Sequence, residues 1–284
     1  MSVSELESTM FRTLFILGLF CLLVSVTSAQ PVGAYKPGYD FDLHSIRSLY
    51  GFSVLKERVS VDTSMGKGAQ QVIQIRGSSS ELVITIAVLQ SPHFDSVEVL
   101  KSLSTSLSEF RFKDLFFDGS TIGLNIGDHV FVKKGSTVSD VFGAALFARE
   151  NVFVYIKERG PFSSYRPPRV NLIPIAQEID SQIQAEPSLS FQDLGSHQPI
   201  IQSFKVHQLV LHESEEAWIS LQSRDPMGLP LTHRFQNQDG DVIQSGRPIR
   251  YVAGTKLGEQ SLSVYAINPK LLYSNKTIQF DVVQ

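Results

Sequence analysis

The chain has 284 residues, room for two ordinary hydrophobic cores, with 42% hydrophobic and 19% charged residues. That balance excludes a disordered chain. A formal net charge of −3 gives no electrostatic footprint for nucleic acid, which is excluded as a partner.

The first element is the stretch FRTLFILGLFCLLVSVTSAQ, residues 11–30. Arg12 supplies a positive end, Leu14 to Val26 an apolar middle, and Thr27, Ser28 and Ala29 a small-residue cleavage site. The apolar run falls short of the ~20 residues a membrane-crossing helix needs. Residues 1–29 are therefore expected to be a signal peptide, with Met10 as the more natural start, and no stable membrane span is expected after cleavage. A retained anchor is the rival reading. The protein is expected to be secreted or periplasmic. Cys21, the single cysteine, lies inside this leader, so the rest of the chain can form neither disulfides nor cysteine–metal sites. Bulky Phe20 before it argues against lipid attachment.

Residues 30–186 mix two periodicities, as an α+β domain would, with one antiparallel sheet carrying helices. Gln70–Gly77 and Glu81–Gln90 read as strands joined by a Gly-Ser-Ser-Ser turn, the second apolar at nearly every position. Phe94, Val97, Leu100, Leu103, Leu107 and Phe110 then recur at helical spacing, with Ser91 and Pro92 as the expected start. Strands follow around Asp128–Lys133, Val141–Arg149 and Asn151–Glu158, the last two as a hairpin bending at Glu150-Asn151. Leu172, Ile175, Ala176, Ile179 and Ile183 line one face of a closing helix, capped by Asn171.

Residues 187–198 break the pattern with proline, glycine and serine and are expected to be a linker. From 199 to 284 apolar and polar residues alternate at strand period, with turn signals about every ten residues. The stretches ESEEAWISLQSRDPMGLPLTHRF and YVAGTKLGEQSLSVYAI carry an Asp-Pro-x-Gly-x-Pro-Leu-Thr corner and a Gly-x-x-x-Leu-x-Val-x-Ala strand. In this the last third resembles the cadherin-like and PKD-like immunoglobulin-fold modules of exported proteins. The resemblance implies an immunoglobulin-like β-sandwich, a fold that hosts many roles. It gives no family for residues 30–186. The corner itself reads as a chain reversal built from Asp225, Pro226, Met227 and Gly228.

Chemistry is sparse. Calcium, suggested by the cadherin likeness, finds candidates in Asp225, Asp239 and Asp241, but the full acidic loop is missing and Asp239-Gly240 makes a hairpin turn without metal. The seven histidines show no metal-binding pairing. No Gly-x-Ser-x-Gly elbow or phosphate-binding glycine loop is present, and no cofactor is expected. An enzyme would have to gather Asp114, Asp118, Asp128, Asp140 and His129 into a pocket.

Binding has better candidates. The loop KERGPFSSYRPPR (157–169) sets Arg159, Arg166 and Arg169 among Phe162 and Tyr165, the residue types that dominate strong contacts. Its alternative role is a loop pinned to its own domain by those two rings. Trp218, the single tryptophan, turns outward if Ala217 and Ile219 face the core, and inward if the register slips by one. Asn275-Lys276-Thr277 matches a glycosylation acceptor. The expected function is that of an exported, non-catalytic binding or cell-surface interaction protein, whose partner is a protein or surface glycan. An exported hydrolase or carbohydrate-active enzyme is the alternative.

Overall fold

A computed structural model describes residues 34–36, 42, 45–46, 51–62, 68–77, 80–91, 95–100, 116–134, 142–159, 170–244 and 248–284. The signal-peptide expectation falls outside these residues. The chain is mostly β, in several sheets, and divides into two units, the second spanning Gly195–Gln284.

In the first unit seven strands form one antiparallel sheet: β1 (Ser53–Asp62), β2 (Gly68–Arg76), β3 (Glu81–Leu89), β4 (Phe117–Asp118), β5 (His129–Lys134), β6 (Phe142–Arg149) and β7 (Val152–Glu158). Their order is β1-β2-β3-β7-β6-β5-β4. The near-continuous apolar runs of β3, β6 and β7 hold the middle, where both faces of the sheet are covered. Charged β1 takes the edge, largely exposed, which is why alternation did not reveal it as a strand. Glu150 turns the β6–β7 hairpin in the left-handed region, at φ 51°.

Helix α1 (Ile173–Ala185) packs on β6 through a buried stripe of Ile175, Ala176, Ile179 and Ile183. The Asn171 carboxamide accepts from the Ile173 amide at 3.2 Å, and Pro174 stands in the first turn, where no amide partner is lost. Within the earlier helical stretch, residues 96–100 are helical. Their cap is Asp95, whose carboxylate accepts from the amides of Val97 and Glu98, in place of the expected Ser91.

The segment expected as a linker carries structure of its own. Leu189 exchanges both backbone hydrogen bonds with Tyr35, at 2.7 and 2.8 Å. Helix α2 (Phe191–Leu194) then brings Phe191 to 5.4 Å from the Tyr35 ring and buries Leu194. Beside it the buried Asn151 side chain accepts from the Lys36 amide at 2.6 Å and donates to the Leu89 carbonyl at 3.0 Å. A buried carboxamide is tolerated because it is bonded on both ends.

The second unit has eight strands: β8 (Ile200–Val206), β9 (Val210–His212), β10 (Glu216–Arg224), β11 (Thr232–Asn237), β12 (Asp241–Ile243), β13 (Ile249–Val252), β14 (Gly258–Ile267) and β15 (Tyr273–Val283). They form two four-stranded sheets, β12-β13-β10-β8 and β11-β14-β15-β9. Strict alternation turns Phe204, Ala217, Ile219 and Tyr251 of the first inward against Leu262, Val264, Phe280 and Val282 of the second. The arrangement is consistent with an immunoglobulin-like sandwich, with β9 added parallel to β15.

One sequence expectation is corrected here. Asp239-Gly240 joins β11 to β12 across the sandwich and is no hairpin turn. Sequence-local turn chemistry cannot tell such a crossing from a hairpin. The Asp225–Gly228 corner turns the chain as expected, the Gly228 amide donating to the Asp225 carbonyl at 3.1 Å, and leads from β10 to β11 in the other sheet.

Candidate functional site

The outward face of the β12-β13-β10-β8 sheet centres on Trp218. Ala217 and Ile219 are buried on either side of it, and the indole is 49% exposed. The outward register is therefore the one adopted. Across β13 its partner is Arg250, and Arg250 in turn faces Ile243 on β12. On the other side His207 donates its amide to the Trp218 carbonyl at 3.0 Å. One row across the sheet thus runs Ile243, Arg250, Trp218, His207, each at or near the surface.

The neighbours of this row are fixed by hydrogen bonds. Arg250 donates to the Glu216 carboxylate at 2.7 Å, which fixes the guanidinium on the same sheet face as the indole. The His207 imidazole lies 2.6 Å from the Ser220 hydroxyl. An exposed indole framed by a positioned arginine and a histidine supplies apolar area, charge and hydrogen-bonding capacity in one patch.

Arg159 hydrogen-bonds the Glu81 carboxylate at 2.9 Å, and Gln74 reaches the same carboxylate at 3.2 Å. Arg76 reaches it as well, and this arginine is the chief reason the Glu81 carboxyl sits below the usual range. Arg159 is thus engaged by its own domain. Phe162, Tyr165, Arg166 and Arg169 lie outside the described residues.

The acidic candidates have structural partners. Asp225 is buried, accepting from the amides of Met227 and Leu229 on one oxygen and from Asn268 on the other. The Asp239 carboxylate accepts from the Lys256 amide at 2.6 Å, and this bond leads the causes that lower its pKa. Asp241 is exposed in β12. Asp118 caps a 3-10 turn, its carboxyl held low chiefly by Ser120, and Asp128 pairs with Arg149. Asp114 and Asp140 lie outside the described residues. Among the described residues no group of three or more His, Cys, Asp or Glu side chains is placed to hold a metal ion. No helix among them is long and apolar enough to cross a membrane.

Sequence reasoning missed the partners of Trp218. The spacing of Arg250 from Trp218 depends on pairing β10 with β13, strands separated by two sheet crossings, and no local signal announces it.

No family model matches the chain, and no curated protein matches it. Among solved structures, tandem immunoglobulin repeats of Dlar are similar to it at 8% identity and a TM-score of 0.26, over 77% of this chain and 90% of that one. Superposition that loose carries no argument about fold or function.

Proposed function

We propose that the chain is an exported, non-catalytic binding protein whose immunoglobulin-like sandwich engages a protein or surface glycan through the Trp218 face. The observation that carries this reading is the half-exposed indole at the middle of a sheet face, flanked by Arg250 and its Glu216 anchor. A chain hides an indole in its own core when it can, so one held at the surface among fixed polar groups favours contact with another molecule. The apolar stretch of residues 11–30, with its basic start and small-residue end, supports export. The first unit is read as an α+β scaffold, with the Arg159–Arg169 loop offering a second contact. Of the acids the enzyme reading would gather, Asp118 and Asp128 are engaged in a turn and an ion pair.

The test presents purified chain and a Trp218→Ala variant to arrays of extracellular proteins and of glycans. A ligand retained by the parent and weakened more than about 10-fold in the variant supports the reading, the scale of a truncated hot spot. Equal binding by both forms, or turnover of an arrayed substrate, overturns it.

A further inference from the structure

The two outward faces of the sandwich are chemically different. Strand β15 pairs with β14 along ten residues, Tyr273 to Val282. On its other side β9 covers only Asp281 to Val283. Among the described residues no strand pairs with β15 from Tyr273 to about Phe280 on that side, although β8 of the other sheet approaches it. Asn275, Lys276 and Thr277 lie on that stretch, all three exposed.

Register settles where they point. Leu262 and Val264 face the core, so their partners Ile278 and Lys276 share the inward side, and Asn275 and Thr277 share the outward one. Thr277 is held by a 2.7 Å hydrogen bond to Ser263 across the ladder. Tyr273, two positions before Asn275, lies on the same face with its ring 6.0 Å from that of Tyr265, the direct partner of Asn275. This face also carries Ser261, Ser263, Gln236 and Gln279, with Arg234 beside Tyr265 and the Glu259–Asp281 pair toward its far end. An exposed acceptor amide thus stands on the outward face, next to the partly buried Tyr273.

We infer that Asn275 is an N-glycosylation site whose glycan covers the outward face of the β11-β14-β15-β9 sheet. The asparagine amide nitrogen attacks the anomeric carbon of a polyprenyl-diphosphate-linked oligosaccharide. The carbon–nitrogen bond forms as the carbon–oxygen bond to the diphosphate breaks. Polyprenyl diphosphate leaves with that electron pair, and the amide proton passes to a base of the transferase. Of the six asparagines, only Asn275 has serine or threonine two positions on, so a glycan on any asparagine by this route is on this one. The covered face leaves the opposite one, with Trp218, as the open surface. This inference rests on the export proposed above.

The experiment separates the two. Full-length chain is expressed in a glycosylating eukaryotic secretory line, once with its own residues 1–29 and once with those replaced by a proven secretion leader. Peptide mapping after glycosidase treatment in the parent chain reads Asn275 directly as its conversion to aspartate. The expected result is one glycosidase-sensitive mobility shift, lost in Asn275→Gln and Thr277→Ala and kept in Thr277→Ser. Glycosylation with the supplied leader but not with the native one supports the site and sinks the export reading. Secretion under the supplied leader with Asn275 unmodified in the mapped peptide overturns the site, whatever the variants do.

Discussion

Asp225 and Asn268, 43 positions apart, meet through a 2.9 Å hydrogen bond inside the sandwich. The same aspartate accepts the amides of Met227 at 2.8 Å and Leu229 at 3.2 Å, while Gly228 adopts φ +74°. Asn268 in turn accepts the Leu272 amide at 3.0 Å. One buried carboxylate therefore ties the crossing after β10 to the turn between β14 and β15. Removing it strands a buried Asn268 donor and two turn amides, so Asp225→Ala should lower stability by about 2–3 kcal/mol. Urea unfolding of the chain measures this, and a loss under about 0.5 kcal/mol, the scale of a surface change, would show that the tie is incidental.

The register of β10 predicts an asymmetry between adjacent residues. Ile219 is buried at 5% exposure and Trp218 is half exposed. Ile219→Ala should cost about 2–5 kcal/mol, as core truncations do. Trp218→Ala should cost about 1 kcal/mol or less, because its indole already meets water. As the single tryptophan, Trp218 also reports on itself: its emission should be quenched by iodide in the folded state. Protection from iodide, or a reversed order of stability losses, would place the indole in the core.

These residues show what the sequence could reveal. Strands β3, β6 and β7 were legible because their apolar runs are long, and α1 because its stripe repeats at helical spacing. Strand β1 was not, since its Lys56, Glu57 and Arg58 are exposed at an edge and leave no alternation to read. At Ala217-Trp218-Ile219 three apolar residues in succession make either register plausible. What decides it is tertiary: Tyr251, fully buried, pairs with Ala217, and Arg250 pairs with Trp218. The Trp218 site was half legible for that reason.

Gly240 and Gly228 both adopt positive φ but differ in surroundings. At Gly240, φ +88°, an added Cβ would meet the Val252 carbonyl oxygen and lie 2.7 Å from the Tyr251 hydroxyl. At Gly228, φ +74°, it would meet nothing within 4 Å. Gly228→Ala should cost only the left-handed backbone term, about 1 kcal/mol. Gly240→Ala adds a backbone clash and should cost ~2 kcal/mol or more. Denaturant midpoints at unchanged m-value report the difference, and equal losses would mean that the β11–β12 crossing yields freely.

The Arg149–Asp180 pair joins β6 to α1 through two hydrogen bonds, at 2.6 and 2.9 Å. Asp180 is nearly inaccessible, and this contact is the main reason the arginine holds its proton more tightly than usual. Asp180→Ala leaves the sheltered guanidinium with the more exposed Asp128, at 3.2 Å, and the field of Glu150. The expected loss is about 3 kcal/mol, the low end for breaking a buried pair. Hydrogen exchange in α1 should quicken with it. Unchanged exchange there would show that the apolar stripe alone holds the helix.

His233 makes the sandwich sensitive to mild acid. Its Nε2 lies 2.8 Å from the Ser223 hydroxyl, in a half-buried position bridging β11 and the end of β10. Burial disfavours the charged imidazolium and holds its pKa below the ordinary value of 6.5. Well above pH 6.5 the ring is neutral in both folded and unfolded chains and contributes no pH dependence. As pH falls below that point the unfolded chain takes up a proton first, so stability declines until the folded value is reached and then levels. Carboxylates held low, such as Asp239, act in the same direction but in a lower window, below about pH 4. His233→Gln should therefore flatten the urea midpoint between about pH 7 and pH 5 relative to the parent. Parallel slopes in the two proteins would assign the sensitivity to other groups.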